Sequence, residues 1–134
     1  VGGLKGKTFG MLGLSFKPNT NDLREAPALA IGQELLAEGA GIRAYDPEAL
    51  EEACRILPGL QPCRDAYHAA EGADALIIMT EWNLFRSLEF DKLKAVMRRP
   101  VLLDLRNVYD HERVVAEGFT HISVGRRAHD PNNS

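Results

Sequence analysis

At 134 residues the chain fits one domain, long enough to bury roughly two thirds of the surface its unfolded form exposes, so it needs no staples. With 45% hydrophobic residues, 26% charged residues and a net charge of -3 at pH 7, it has an ordinary globular composition, which argues against a nucleic-acid module with a basic face. No apolar run approaches the ~18 to 20 residues that span a bilayer, and "VGGLKGK" lacks the charged start and apolar core of a signal peptide, so a cytoplasmic protein is expected.

In chain order, a strand is expected over "TFGMLGLSF" (Thr8 to Phe16), a helix over "APALAIGQELLAEG", a strand over "GIRAYD" and a helix over "PEALEEACRIL". A short ambiguous piece leads to a helical turn near "DAYHAAEG". There follow a strand ("ADALIIMT"), a helix ("SLEFDKLKAVM"), a strand ("PVLLDLR"), a helical turn ("DHERVVAEG") and a last strand ("FTHISVG"). The first helix is the clearest of these: Ala28, Ile31, Leu35 and Leu36 recur at helical spacing, Pro27 suits its first turn and Gly39 its stop. "ALIIM" and "VLL" are continuous apolar runs, as in strands covered on both faces. Strict alternation of strand and helix predicts an α/β, Rossmann-like, doubly wound and mostly parallel sheet with helices on both faces. The body is one domain over residues 1–128, and the polar tail 129–134 is expected to be disordered.

Open α/β sheets bind ligands beyond the carboxyl ends of their strands. Lys17, Asp46, Glu81, Asp104 and Arg106 all fall at such ends and are expected to share one edge. Pro18 removes a backbone donor and favours an extended Lys17, which holds the ammonium over the strand end where a phosphate would sit. Arg24 lies about one turn before the first helix, whose free N–H groups already favour an anion, and its fork adds bidentate geometry. The alternative is a set of solvated pairs, Lys17 and Arg24 with Asp22 or Glu25 and Arg106 with Asp104, each worth little.

Other features point less sharply. "GMLG" is half of a dinucleotide fingerprint, but GxGxxG is absent and Lys17-Pro18 stands where the helix would begin. Asp46 could hold a ribose, although "DP" more commonly starts a turn. Trp82 either stacks on a ligand or packs its own loop, with packing favoured. Cys54 and Cys63 lie at no predicted carboxyl strand end and are expected to be plain thiols rather than nucleophiles or a redox pair. His68, His111, His121 and His129 show no ligand spacing, so no metal is expected.

Taken together, "GLSFKPNTNDLREAPAL", "AYDPEA", "GADALIIMTEWNLFR", "PVLLDLRNVYD" and "GFTHISVGR" resemble the C-terminal, UDP-binding domain of the UDP-glucose 6-dehydrogenase and GDP-mannose dehydrogenase family, from about Lys5 to Arg126. The "TEW" and "DLRN" segments look most like the UDP-glucose 6-dehydrogenase branch, which oxidises UDP-glucose to UDP-glucuronate with two NAD in succession. The resemblance implies that Phe16 and Lys17 of "FKPNT" contact the nucleotide sugar, that Arg106 of "DLRN" also binds it, and that Arg24 of "DLRE" reaches NAD. That NAD would be bound mainly by an N-terminal Rossmann domain of the same protein; the catalytic cysteine would also lie N-terminal to the residues present here, and a central helical region would make a homo-oligomer. This chain matches neither region, so by itself it is expected to be inactive. GDP-mannose or UDP-N-acetyl-mannosamine dehydrogenase, a stand-alone nucleotide-binding module and an interaction domain are the competing readings. "NTND" where the family often has "NTDD" moves no charge used here.

Overall fold

The computed structural model describes residues 5–14, 27–80, 82–105 and 109–123. Six strands form one sheet in the order β3-β2-β1-β4-β5-β6: β1 (Thr8–Leu12), β2 (Gly41–Tyr45), β3 (Leu60–Pro62), β4 (Ala75–Ile78), β5 (Val101–Asp104) and β6 (Thr120–Ser123). Every pairing is parallel, with Leu12 opposite Tyr45 on one side and opposite Ile78 on the other. The chain reverses its winding between β1 and β4, so their carboxyl ends flank the crevice in which doubly wound sheets take ligands.

The helices are α1 (Pro27–Ala37), α2 (Leu50–Ile56), α3 (Ala66–Ala70), α4 (Asn83–Arg86), α5 (Phe90–Val96) and α6 (His111–Ala116). Strand residues alternate between two cores. Met11, Ile42, Ala44 and Ile77 pack with Ala28 of α1 and Ala53 of α2. Leu12, Leu76, Ile78 and Leu102 pack on the opposite face with α3, Phe85, Phe90, Leu93 and Val114. Burial of all four residues of β4 accounts for the unbroken apolar run "ALII". α1 begins at Pro27 and ends before Gly39, whose φ of +92° is the left-handed stop that its sequence predicts.

Four local expectations change. β1 ends at Leu12 rather than Phe16, because Gly13 turns the chain at φ +91°. The ambiguous piece contains β3, three residues that are a strand through pairing with β2. α2 begins at Leu50, after a turn held by Asp46. The segment read as one helix from Ser87 starts at Phe90 and is preceded by α4, a single turn. The tail 129–134 lies outside the described residues.

Candidate functional site

The carboxyl edge is organised by backbone donors and two buried carboxylates. As β1 leaves the sheet, Gly13 N–H donates to Tyr45 O (2.8 Å) and Leu14 N–H to Asp46 Oδ2 (2.6 Å). The other Asp46 oxygen accepts from Glu48 N and Ala49 N, both at 2.7 Å. Asp46 thus joins the exits of β1 and β2. With three backbone bonds and almost no exposure it starts the turn, and a ribose would have to displace those bonds.

Across the switch point, Met79 N–H donates to Leu12 O (2.9 Å), and Thr80 lies so close to Gly13 that a Cβ there would come within 2.6 Å of Thr80 Cβ and 2.7 Å of its backbone nitrogen. Gly10 is similarly enclosed: a Cβ would fall 2.7 Å from Ala69 O and 2.8 Å from Leu76 Cδ1. Both glycines of "GMLG" therefore serve packing between elements. The segment 15–26 that joins Leu14 to α1 lies outside the described residues.

At the exit of β5, Leu105 N–H donates to Ile78 O (3.2 Å). Asp104 is fully buried; its Oδ2 accepts from Tyr109 N (2.9 Å) and lies 3.5 Å from His121 Nε2. The phenol of Tyr109 donates to Phe85 O, and its ring meets Phe90 edge-on at 5.3 Å. Burial, with the Asp104 charge second, holds the Tyr109 phenol far above its ordinary range. Tyr45 is pushed up as well, by burial and then by Asp46 and Asp65.

Of the five groups expected along this edge, Asp46 and Asp104 turn inward and become framework, because strand-end carboxylates are the acceptors within reach of the neighbouring loop N–H groups. Lys17, Glu81 and Arg106 lie outside the described residues, as do Phe16 and Arg24. The residues bordering them, Leu14, Thr80, Trp82, Leu105 and Tyr109, are described. Trp82 belongs to the core, so packing is its role; its indole N–H is buried and unpartnered among the described residues.

Cys63 corrects an expectation about place. It follows β3 directly and does lie at a carboxyl strand end, its N–H donating to Ala44 O (2.9 Å). Burial nevertheless pushes its thiol upward, and that of Cys54 too, which disfavours the thiolate form of both. Sequence reasoning missed the pairing of His111 and His121, whose Nδ1 atoms lie 2.8 Å apart. Alternation along "FTHIS" was the available sign, since Phe119 and His121 are buried while Thr120 and Ile122 are exposed. Among the described residues no group of three or more His, Cys, Asp or Glu could hold a metal.

Residues 10–111 match the model of the UDP-glucose/GDP-mannose dehydrogenase family, UDP binding domain. The chain belongs to this family. The UDP-glucose 6-dehydrogenase of Rhizobium meliloti (strain 1021) is 50% identical over 93% of the chain, which covers 29% of that protein. A UDP-glucose dehydrogenase from the hyperthermophilic archaeon Pyrobaculum islandicum superposes with a TM-score of 0.74 at 31% identity, over 90% of this chain and 26% of its own. An NDP-N-acetyl-D-galactosaminuronic acid dehydrogenase from Methanosarcina mazei Go1 gives 0.78 at 27% identity, over 91% and 25%. The chain thus spans under a third of the relatives it matches, corresponding to the nucleotide-binding module of this oxidoreductase family. Among the described residues no helix is long and apolar enough to cross a membrane.

Proposed function

We propose that this chain is the nucleotide-sugar-binding domain of a cytoplasmic, NAD-dependent UDP-glucose 6-dehydrogenase. The observation that carries the reading is 50% identity with the Rhizobium meliloti UDP-glucose 6-dehydrogenase over 93% of the chain. Phe16 and Lys17, just beyond the exit of β1, and Arg106, just beyond that of β5, bind the UDP-sugar; Arg24 reaches NAD held mainly by the N-terminal domain of the same protein. Two features support the assignment: β1, which precedes Phe16 and Lys17, borders the point where the winding reverses, and two carboxylates of the edge, Asp46 and Asp104, are engaged by backbone N–H groups and a histidine and so do not face a diphosphate freely.

The domain's part in catalysis is positioning. Binding energy from the uridine and diphosphate, remote from the reacting carbon, is spent on holding the sugar C6 near groups supplied by the rest of the enzyme. NAD, when bound there, accepts hydride; the described residues of this chain contribute no step to that transfer.

Calorimetry on the full-length protein tests this. UDP-glucose should bind, and Lys17→Ala or Arg106→Ala should each weaken it about tenfold or more, as the loss of a charge-assisted bond to phosphate requires. Preferential binding of GDP-mannose would overturn the substrate assignment, and absence of any nucleotide binding would overturn the domain assignment. Likeness to the Methanosarcina mazei protein supports a second reading, an N-acetylated sugar nucleotide, which the same competition series decides.

A further inference from the structure

The two faces of the sheet are covered unequally. On the face that carries α3, α5 and α6, burial continues to the edge strand: Leu76 and Leu102 are 0% exposed and His121 8%. On the face that carries α1 and α2, the paired row Met11, Ile77, Leu103 and Ile122 rises from 0% through 4% and a half-buried leucine to 50%. Val101 and Leu105 are half-buried on either side of Leu103, and Thr120 is exposed next to Ile122. The cause is topological. Right-handed crossovers put α1 and α2 on one face while the winding runs from β1 to β3, and after it reverses they put α3, α5 and α6 on the other, so among the described residues no helix covers this face of β5 and β6. All-parallel sheets are otherwise covered on both faces.

We propose that this strip is the seat of one amphipathic helix from the part of the same polypeptide that precedes β1. The inference rests on the reading of the chain as one domain of a longer dehydrogenase; coverage of 29% of the Rhizobium meliloti protein leaves most of such a polypeptide to supply it. Size selects the occupant. Two strands of four residues present a face roughly 13 Å long and 10 Å wide, which matches the roughly 10 Å diameter of one helix. It falls far short of the roughly 800 Å² that each partner gives to a standard interface, so a second copy would need most of its contact elsewhere. A helix tethered at the entrance to β1 needs no such area, because the tether makes docking intramolecular. Phe9 of β1 is itself half-buried on this face, so the thinly covered surface begins where the chain enters the sheet. Residues 124–134, "VGRRAHDPNNS", carry no apolar stripe that could serve instead.

Alkylation of cysteine variants of the full-length protein tests the cover. Ile122→Cys has two matched controls, Val115→Cys on α6 and Ile56→Cys on α2, because the three positions are 50%, 49% and 51% exposed within this domain. Iodoacetamide, with uptake mapped by mass spectrometry, should modify Ile122→Cys roughly tenfold or more slowly than the faster control, as a site that reacts only on local opening does. A rate equal to that control overturns the proposal. Benzoylphenylalanine in place of Ile122, activated by light, then identifies the occupant. A cross-link within one chain to a peptide preceding Val1 sustains the proposal; a cross-link to a second copy, to residues 1–134 or to nothing overturns it. Neither readout needs nucleotide. Absence of UDP-glucose binding in wild type with that cross-link present defeats the dehydrogenase reading alone, whereas binding retained with Ile122→Cys fully reactive defeats this inference alone.

Discussion

Gly13→Ala should be among the more damaging single substitutions in this domain, and Gly72→Ala is its control. Both glycines are left-handed, φ +91° and +71°, so an alanine at either meets a backbone penalty of about 1–2 kcal/mol. Both replacements also remove unfolded-state freedom, a stabilisation of about 0.4–1 kcal/mol common to the pair. They differ in space. A Cβ at Gly72 meets nothing within 4 Å, whereas at Gly13 it lies 2.6 Å from Thr80 Cβ and 2.7 Å from Thr80 N. Backbone cannot swing aside as a side-chain tip can, so the exits of β1 and β4 must separate, an overpacking cost of about 1–3 kcal/mol. That range is the expected difference between the variants in urea unfolding, with unchanged m-values, and corresponds to roughly 3–10 °C in Tm. The proposed ligand edge should also be distorted, so UDP-glucose affinity should fall for Gly13→Ala and hold for Gly72→Ala. Equal stability of the two variants would refute the argument that the closeness of Thr80, rather than φ, requires glycine at position 13.

Asp46→Ala removes the acceptor of Leu14, Glu48 and Ala49 N–H at once and should lower unfolding free energy by about 2–4 kcal/mol in urea titrations. Tyr109 is raised by burial in the folded state, so its contribution is complete below the unfolded phenol value of about 10 and is lost as pH rises above it, at up to about 1.4 kcal/mol per pH unit. Tyr109→Phe should flatten the alkaline limb of a stability profile and cost about 1–2 kcal/mol at neutrality for the bond to Phe85 O; an unchanged limb would contradict the assignment. Cys63, buried and pushed up, should resist iodoacetamide at neutral pH until the chain unfolds, as alkylation mapped by mass spectrometry would show.

Local chemistry and apolar patterning were enough for the α/β architecture. Pro27 and Gly39 delimit α1 through φ preferences that operate within one turn, and the unbroken run Ala75–Ile78 can be buried on both faces only in the middle of a covered sheet. Five separated motifs were likewise sufficient for the family, and the match over residues 10–111 agrees. What partners decide was not legible. "LQP" has no strand propensity to speak of and becomes β3 because β2 presents a free edge to it. Asp46 and Asp104 read only as polar groups of a shared strand-end edge, Asp46 more as a turn starter than as a ribose ligand; burial engages them with backbone N–H groups and, for Asp104, a histidine ring, since a buried carboxylate must be satisfied from within. His111 and His121, ten residues apart without motif spacing, meet only because α6 folds back over β6. Periodicity and turn chemistry are encoded residue by residue, so the chain by itself determined its main helices and strands and its family; β3 and the partners of each buried charge belong to three-dimensional packing, which alone decided them.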